Sequence, residues 1–434
     1  MTIDPLNPVF AVAILAVAAL TGAMLLRIAP VLSGEGRVTA LDGLRGYLAL
    51  GVLIHHGAIW YFRLRGAPWE RPPSTVFTQL GETGVALFFM ISAFLFFTRV
   101  LNADSKKLDW TRLYVSRVLR LAPLYFVAMA TLFLMVAIRS GFTRQESWGA
   151  LIGHAMKWLA FSLPGMPDIN QVPHTFEMMA GITWSLPYEW CFYAALPIMA
   201  LALRRSVPMW LVLATVGFLA IVLRLNWLSA AALQVFIGGV LAAILVRSDR
   251  IRHLATTPSA GALALGLLAI VLVTQPTVYH PIALGLLSVS FTIMACGNGL
   301  FGLLTNKVAR LLGELSYGLY LLQGIVLYVA FEWAIPGDAA ALSPLAHWAI
   351  MVACVAVLIP LSLASFTFIE APAMRHVPGL TAWTKSLPSA ARLLATRATP
   401  AKPLPRPPLL NPAGKGADAI GAVQVLQPFR GDDG

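Results

Sequence analysis

The chain is expected to fold as an all-α, polytopic transmembrane helix bundle of about eleven spans, a ten-helix core preceded by one N-terminal helix. Three features lead there. Hydrophobic residues occupy 58% of the 434 positions. Charged residues occupy 12%, about half of the roughly 25% usual in soluble domains. Apolar stretches of about 20 residues recur along the chain, the length that crosses a roughly 30 Å hydrocarbon layer. The net charge of +12 does not mark a nucleic-acid surface. The basic residues gather in short clusters between apolar stretches, as topology signals do. Cys191, Cys296 and Cys354 lie apart within apolar stretches, so neither a metal site nor a disulfide framework is expected.

The first span covers Pro8–Leu26. Met1–Asn7 before it carries no Lys or Arg, so it reads as a retained helix with its N-terminus outside. The other expected spans are Gly43–Phe62, Gly81–Thr98, Val118–Ile138, Trp184–Leu203, Met209–Leu225, Ser229–Val246, Ser259–Thr274, Ile282–Leu304, Leu315–Ile335 and Leu345–Ile369. Trp148–Leu163 is short, carries His154 and Lys157, and stops at a Pro-Gly turn. It is expected to lie at the outer interface or to re-enter without crossing. This arrangement keeps 24 of the 31 basic residues on the inner side, as the positive-inside rule requires. Inverting it after Leu163 would export fifteen of them. The chain is thus expected to be multi-pass with its C-terminus cytosolic. Three parts are expected: an extra N-terminal helix over 1–36, a membrane domain over 37–376, and a Pro- and Gly-rich tail over 377–434 that cannot build a core.

A charge in hydrocarbon costs at least about 2.5 kcal/mol on insertion scales, so ionisable residues within spans are functional candidates. Arg45 and His56 are eleven residues apart, which returns them to one helix face about 16 Å apart along the axis. Arg45 then sits at the inner mouth and His56 toward the outside. His55 points about 100° away, toward a neighbouring helix or lipid. Asp42 reads as a helix N-cap. Glu189 lies five residues beyond Trp184, an interfacial anchor, and so at a depth similar to His56. A carboxylate there can orient an imidazole. Arg112, Arg117 and Arg120 follow Lys106 and Lys107. Such a run is either a topology signal or a phosphate clamp for a nucleotide-bearing donor. Ser316 and Gln323, seven apart, share a helix face and imply interhelical hydrogen bonds.

Taken in order, these residues resemble the acyltransferase 3 family of bacterial membrane O-acyltransferases, over about Ala40 to Pro372. Leu41–Gly46 with His56 resembles the family's arginine–ten residues–histidine signature. Gly84–Leu95, with Phe88, Phe89 and Ser92, resembles its second-span motif. Arg117, Arg120, Pro123 and Tyr125 resemble the basic start of the next span. Trp184-Ser185-Leu186 with Glu189, Phe192 and Tyr193 resembles a further block, Ser316–Leu321 the late-span motif, and Phe368–Pro372 the closing one. Ala86, Ala93, Ser116 and Gln323 depart from the pattern. Gln323 stands where many members carry His, which places a second-histidine role in question.

The resemblance implies an acyl-coenzyme A donor, acetyl-CoA first among them, with no permanently bound cofactor. It implies a carbohydrate hydroxyl, often in a cell-surface glycan, as acceptor. On it, Arg45, Arg117 and Arg120 receive the donor's phosphates. His56 is general base or acyl carrier, and Glu189 positions the imidazole. Tyr193, Ser316, Tyr317, Tyr320 and Gln323 are substrate-facing or structural polar groups. Acylation of a small glycosylated molecule, and a transporter or flippase without enzymatic activity, remain as alternatives. A transporter would more often show repeat symmetry, and none is visible. The expected partners are the donor, the acceptor and the bilayer; no oligomeric state is read from the sequence.

Overall fold

The computed structural model describes residues 4–28, 38–103, 108–225, 228–335 and 339–387. Among them, one isolated bridge between Ile169 and Val172 is the only β-structure. The first half of the chain forms α1 (Pro8–Leu25), α2 (Thr39–Arg63), α3 (Thr75–Leu101), α4 (Trp110–Arg139), α5 (Trp148–Leu159), α6 (Leu186–Ala202), α7 (Met209–Leu225) and α8 (Ala230–Leu245). Then come α9 (Asp249–Ala255), α10 (Pro258–Thr274), α11 (Pro281–Ala295), α12 (Lys307–Glu314), α13 (Ser316–Tyr328), α14 (Pro344–Ser365), α15 (Ala371–Arg375) and α16 (Val377–Ser386). The chain divides into a unit of residues 1–384 and a second of 385–434. The tail expected over 377–434 lies outside the described residues from 388 onward; its first ten residues form α16.

Among the described residues, five helical runs are long and apolar enough to cross a membrane: Pro8–Leu25, Thr75–Leu101, Trp110–Arg139, Ser316–Ala334 and Pro344–Ser386. A sixth arises if α8 and α9, bent by 109° at their junction, count as one span. Shorter apolar helices occur at Met209–Val222, Pro258–Thr274 and Pro281–Ala295. The protein is therefore an all-helical, multi-pass membrane protein. α2 is 25 residues long, about 37 Å. It fails the apolarity criterion because it carries Asp42, Arg45, His55 and His56. It is buried on nearly every side, so its polar groups face protein and not lipid.

Packing follows from small residues. α1 buries only Phe10, Ile14, Ala18 and Gly22, a four-residue repeat that makes a single stripe. Phe10 stacks on Trp348 of α14 with ring centroids 5.4 Å apart. Ala11, Leu15 and Val17 flank that stripe half-buried, while Val9, Val12, Leu20 and Met24 are exposed, as suits lipid contact. α2 meets α12 without room for side chains. A Cβ on Gly43 would collide with the Leu304 carbonyl, and one on Gly313 with the Asp42 carbonyl. The stack Phe89–Phe236–Phe192, with centroids 4.6 and 4.7 Å apart, joins α3, α8 and α6.

Several expectations are corrected. α2 starts at Thr39 with Val38 as its cap. Asp42 is therefore not an N-cap but a first-turn acid, 3.4 Å from Arg45, where it also suits the positive end of the helix dipole. The span expected over Ile282–Leu304 ends at Ala295. Gly297 turns at φ +102°, and Asn298 donates to the Ala255 and Thr257 carbonyls, which folds residues 296–306 into a loop. α5 is as short as expected: 12 residues, about 18 Å, less than the hydrocarbon thickness. Residues 175–185 enter the bundle as two 3₁₀ turns, Thr175–Met179 and Ile182–Ser185, with most side chains buried.

Candidate active site

Two apolar clusters make up the interior. One centres on α1, α2, α4, α13 and α14, the other on α2, α3, α6, α8 and α11. Phe88, Phe161, Tyr317 and Tyr320 pack against both. Most of the polar residues singled out in the sequence lie along this seam.

At one end sits His56 on α2, 8% exposed. Its Nδ1 lies 3.4 Å from Gln323 Oε1 on α13. Gln323 is fully buried, and its Nε2 donates to the Tyr320 carbonyl at 3.0 Å. That bond turns the amide so that Oε1, an acceptor only, faces the imidazole. His56 Nδ1 therefore carries the proton, and Nε2 keeps the lone pair. Trp69, from the loop after α2, covers the ring with centroids 6.2 Å apart and planes 26° apart. Trp60 meets Trp69 edge-on at 5.4 Å. His55 points elsewhere: its Nδ1 donates to the Phe77 carbonyl at 2.9 Å, and its ring fills the space above Gly81 of α3.

The inward segment 175–185 walls this end. At Gly324, next to Gln323, a Cβ would strike the Met179 and Ala180 backbone. Ala180 and Gly181 take positive φ, 50° and 66°, and so reverse the chain. Glu177, 5% exposed, receives Arg63 Nε at 2.8 Å and so ties the segment to the end of α2.

Glu189 is elsewhere on the seam. Its Oε1 accepts from Ser92 at 2.6 Å and from Tyr193 at 2.8 Å. Ser92 lies eleven residues beyond Gly81 on α3, roughly 16 Å of helix rise. The structure thus does not bring Glu189 to the imidazole. Between the two groups lies Tyr320. Its hydroxyl meets Ser185 Oγ at 2.9 Å and the Ile182 carbonyl at 3.1 Å, and its ring meets Phe88 edge-on at 5.9 Å. Tyr317 donates to the Leu121 carbonyl at 2.7 Å. Ser316 is buried beside it, with Gly318 fitting against Ser362 and Ser365 of α14.

The arginines separate into different environments. Arg120 faces Glu370 at 3.0 Å, a carboxylate 1% exposed. The approach is ionic without hydrogen-bond alignment at Oε2. The turn Phe366–Glu370, wider than an α-helix, carries Glu370 into place. Arg120 is therefore neutralised where it stands. Arg117 lies over the Phe96 ring at 4.7 Å, and its Nε is buried without a hydrogen bond. Arg45 keeps to Asp42 and is 25% exposed. Among the described residues no group of three His, Cys, Asp or Glu side chains is placed to hold a metal ion. An apolar groove of about 390 Å³ opens between α4 and α14 over Leu322 and Ile325. It carries no chemistry of its own.

Gln323 as the partner of His56, and Trp69 as its cover, were not found from the sequence. Neither stands near His56 in the chain. Ser92 was seen within a motif but not as a ligand of Glu189. The available signal was its position in an otherwise apolar run facing a second span.

The imidazole of His56, with Nδ1 committed to Gln323, is thus buried at a seam between apolar helices. A family model described as an acyltransferase domain, that of the acyltransferase 3 family, matches residues 38–365. The chain belongs to this family and is a membrane acyltransferase. The match begins just before α2 and ends with α14, leaving α1 outside it. No curated protein and no solved structure matches the chain.

Proposed function

We propose that the protein transfers an acyl group, acetyl first among candidates, from acyl-coenzyme A to a hydroxyl of a carbohydrate in a cell-surface glycan. The observation that carries this reading is the imidazole of His56. Its Nδ1 is committed to Gln323, which leaves Nε2 as a base in an enclosed site. Nε2 takes the acceptor's hydroxyl proton as the oxygen attacks the thioester carbonyl. The carbonyl–sulfur bond breaks, and the imidazolium returns the proton to the departing thiolate. Arg45 and Arg117 hold donor phosphates in this reading. Arg120, already paired with Glu370, holds the end of α14 in place. Glu189 serves the passage between the arginines and the imidazole through Ser92 and Tyr193. The eleven-span topology, with the N-terminus outside and the tail over 377–434 in the cytosol of a bacterial inner membrane, belongs to the same proposal.

The test uses purified protein in liposomes with acetyl-CoA, in the presence and absence of surface glycan. Thiol release that depends on glycan, with one acyl mass gained by the sugar, is the expected result. Thiol release that is indifferent to carbohydrate rejects the acceptor class. No release from any acyl-CoA rejects the donor.

A further inference from the structure

Among the described residues, the end of the seam away from His56 gathers several guanidiniums with few acids beside them. Arg99, in the last turn of α3, lies over the same Phe96 ring as Arg117, at 5.2 Å against 4.7 Å. The two guanidiniums are therefore no more than about 10 Å apart, although like charges repel. Among the described residues neither has an ion pair or hydrogen bond, and the side chains that act electrostatically on Arg99 are the cations Arg117 and Arg112 together with the Tyr193 phenol. Arg117 Nε is enclosed and unpartnered. Arg205 and Arg247 reach the same end of α3, donating to the Leu101 carbonyl and to Asn102 Oδ1. The carbonyl end of one helix supplies only about half a negative charge. That cannot balance several guanidiniums.

This cluster opens onto the seam. Phe96 packs on Tyr193 at 4.8 Å, and Tyr193 donates to Glu189. On α3, Arg99, Ser92 and Phe88 recur at intervals of seven and four residues and so share a face. That face runs from the cations past Glu189 to Tyr320. It is also distinct from Arg45. α2 and α3 run antiparallel, with His55 over Gly81 and the Leu48 carbonyl against Gly84. Those contacts set Arg45 opposite Leu87 to Ile91, roughly 12–18 Å of helix rise from Arg99.

We propose that Arg99 and Arg117, both stacked on the Phe96 ring, form a phosphate site separate from Arg45. The planar guanidinium suits bidentate contact with phosphate and stacking on an aromatic ring at once. The inference rests on the acyl-CoA reading for its first source of phosphate, the phosphate monoester on the donor's ribose. Arg45 would then meet the pyrophosphate. A second source of the same chemistry is the headgroup of an anionic phospholipid.

Two arms separate these sources. In nanodiscs of neutral lipid, the protein should bind coenzyme A at least about tenfold more tightly than dephospho-coenzyme A, which lacks the monoester. Arg99→Gln and Arg117→Gln should each abolish that preference and leave dephospho-coenzyme A binding unchanged. Arg99→Lys, which keeps the charge, should retain part of it. In the second arm, native mass spectrometry from mixed-lipid nanodiscs reads retained phosphatidylglycerol. A lipid source gives retention that both Gln variants lose, with no monoester preference. Failure of the wild type to bind coenzyme A in any form rejects the donor reading and leaves the lipid arm to decide the phosphate site. Variants that match the wild type in both arms overturn the site, while glycan-dependent acyl transfer by the wild type would still stand.

Discussion

Neighbouring histidines on one helix have opposite tasks here, because adjacent residues point about 100° apart. His55 is spent on the Phe77 carbonyl, and His56 is held by Gln323 with Nε2 free to act. His56→Ala is expected to lower the transfer rate by about 10²–10⁴. His55→Ala should instead cost about 1–3 kcal/mol of stability through the lost hydrogen bond and the void left over Gly81, with most of the turnover kept. Initial rates and melting curves on both variants check this; full activity in His56→Ala rejects the base assignment. Arg120 invites a different comparison. Removing one partner of a buried pair costs roughly 3–5 kcal/mol, whereas replacing both is often near neutral. Arg120→Leu should therefore melt well below the wild type, and Arg120→Leu with Glu370→Leu should recover much of the loss. A single variant that folds normally and only weakens donor binding would return Arg120 to the phosphate set. The face shared by Arg45 and His56 was legible because it needs only the period of one helix. The partners of His56 and Glu189 were not, because they come from helices and loops whose depth no local pattern states.

At the scale of elements, uncharged composition predicted where apolar helices lie but not where they stop. Gly297-Asn298-Gly299 ends α11 without a single charge, so a hydropathy reading runs through it to Leu304. Residues 175–185 are harder still. Their path into the bundle depends on positive φ at His174, Ala180 and Gly181 and on a gap across from them at Gly324. That gap gives a prediction. Gly324→Val must displace the Met179–Ala180 backbone, because that backbone occupies the position of the new Cβ. Overpacking of this kind costs typically 1–3 kcal/mol, and here it also pushes the neighbouring Gln323 away from His56. Activity should therefore fall by more than the lost folded fraction explains. Gly266→Val on α10, where a Cβ meets nothing within 4 Å, is the matched control and should stay within about 0.5 kcal/mol of the wild type. Equal melting temperatures and equal rates for the two variants would show that the segment yields without consequence for the site.

For the whole molecule, the seam makes orientation a functional matter. His56 and the Arg99–Arg117 pair lie toward opposite ends of the bundle, since the register of α2 against α3 places His55 at Gly81 and Arg99 eighteen residues further along α3. Eighteen residues is about 27 Å of rise, close to the thickness of the hydrocarbon layer. A donor held at the arginines and chemistry at the imidazole therefore require the molecule to be inserted one way only. The positive-inside rule selects that way. Arg27, Arg99, Arg112, Arg117, Arg205 and Arg247 fall on the side expected to be cytosolic, with the basic residues of the C-terminal chain. Reporter fusions at Met1 and Gly434 should thus report an external N-terminus and a cytosolic C-terminus. The same orientation predicts that a membrane-impermeant maleimide labels Arg99→Cys, in a cysteine-free background, only in inverted membrane vesicles. Coenzyme A should slow that labelling if the arginines hold the donor. Labelling from the outside of intact cells would reverse the topology, and the donor would then have no cytosolic access to the arginines.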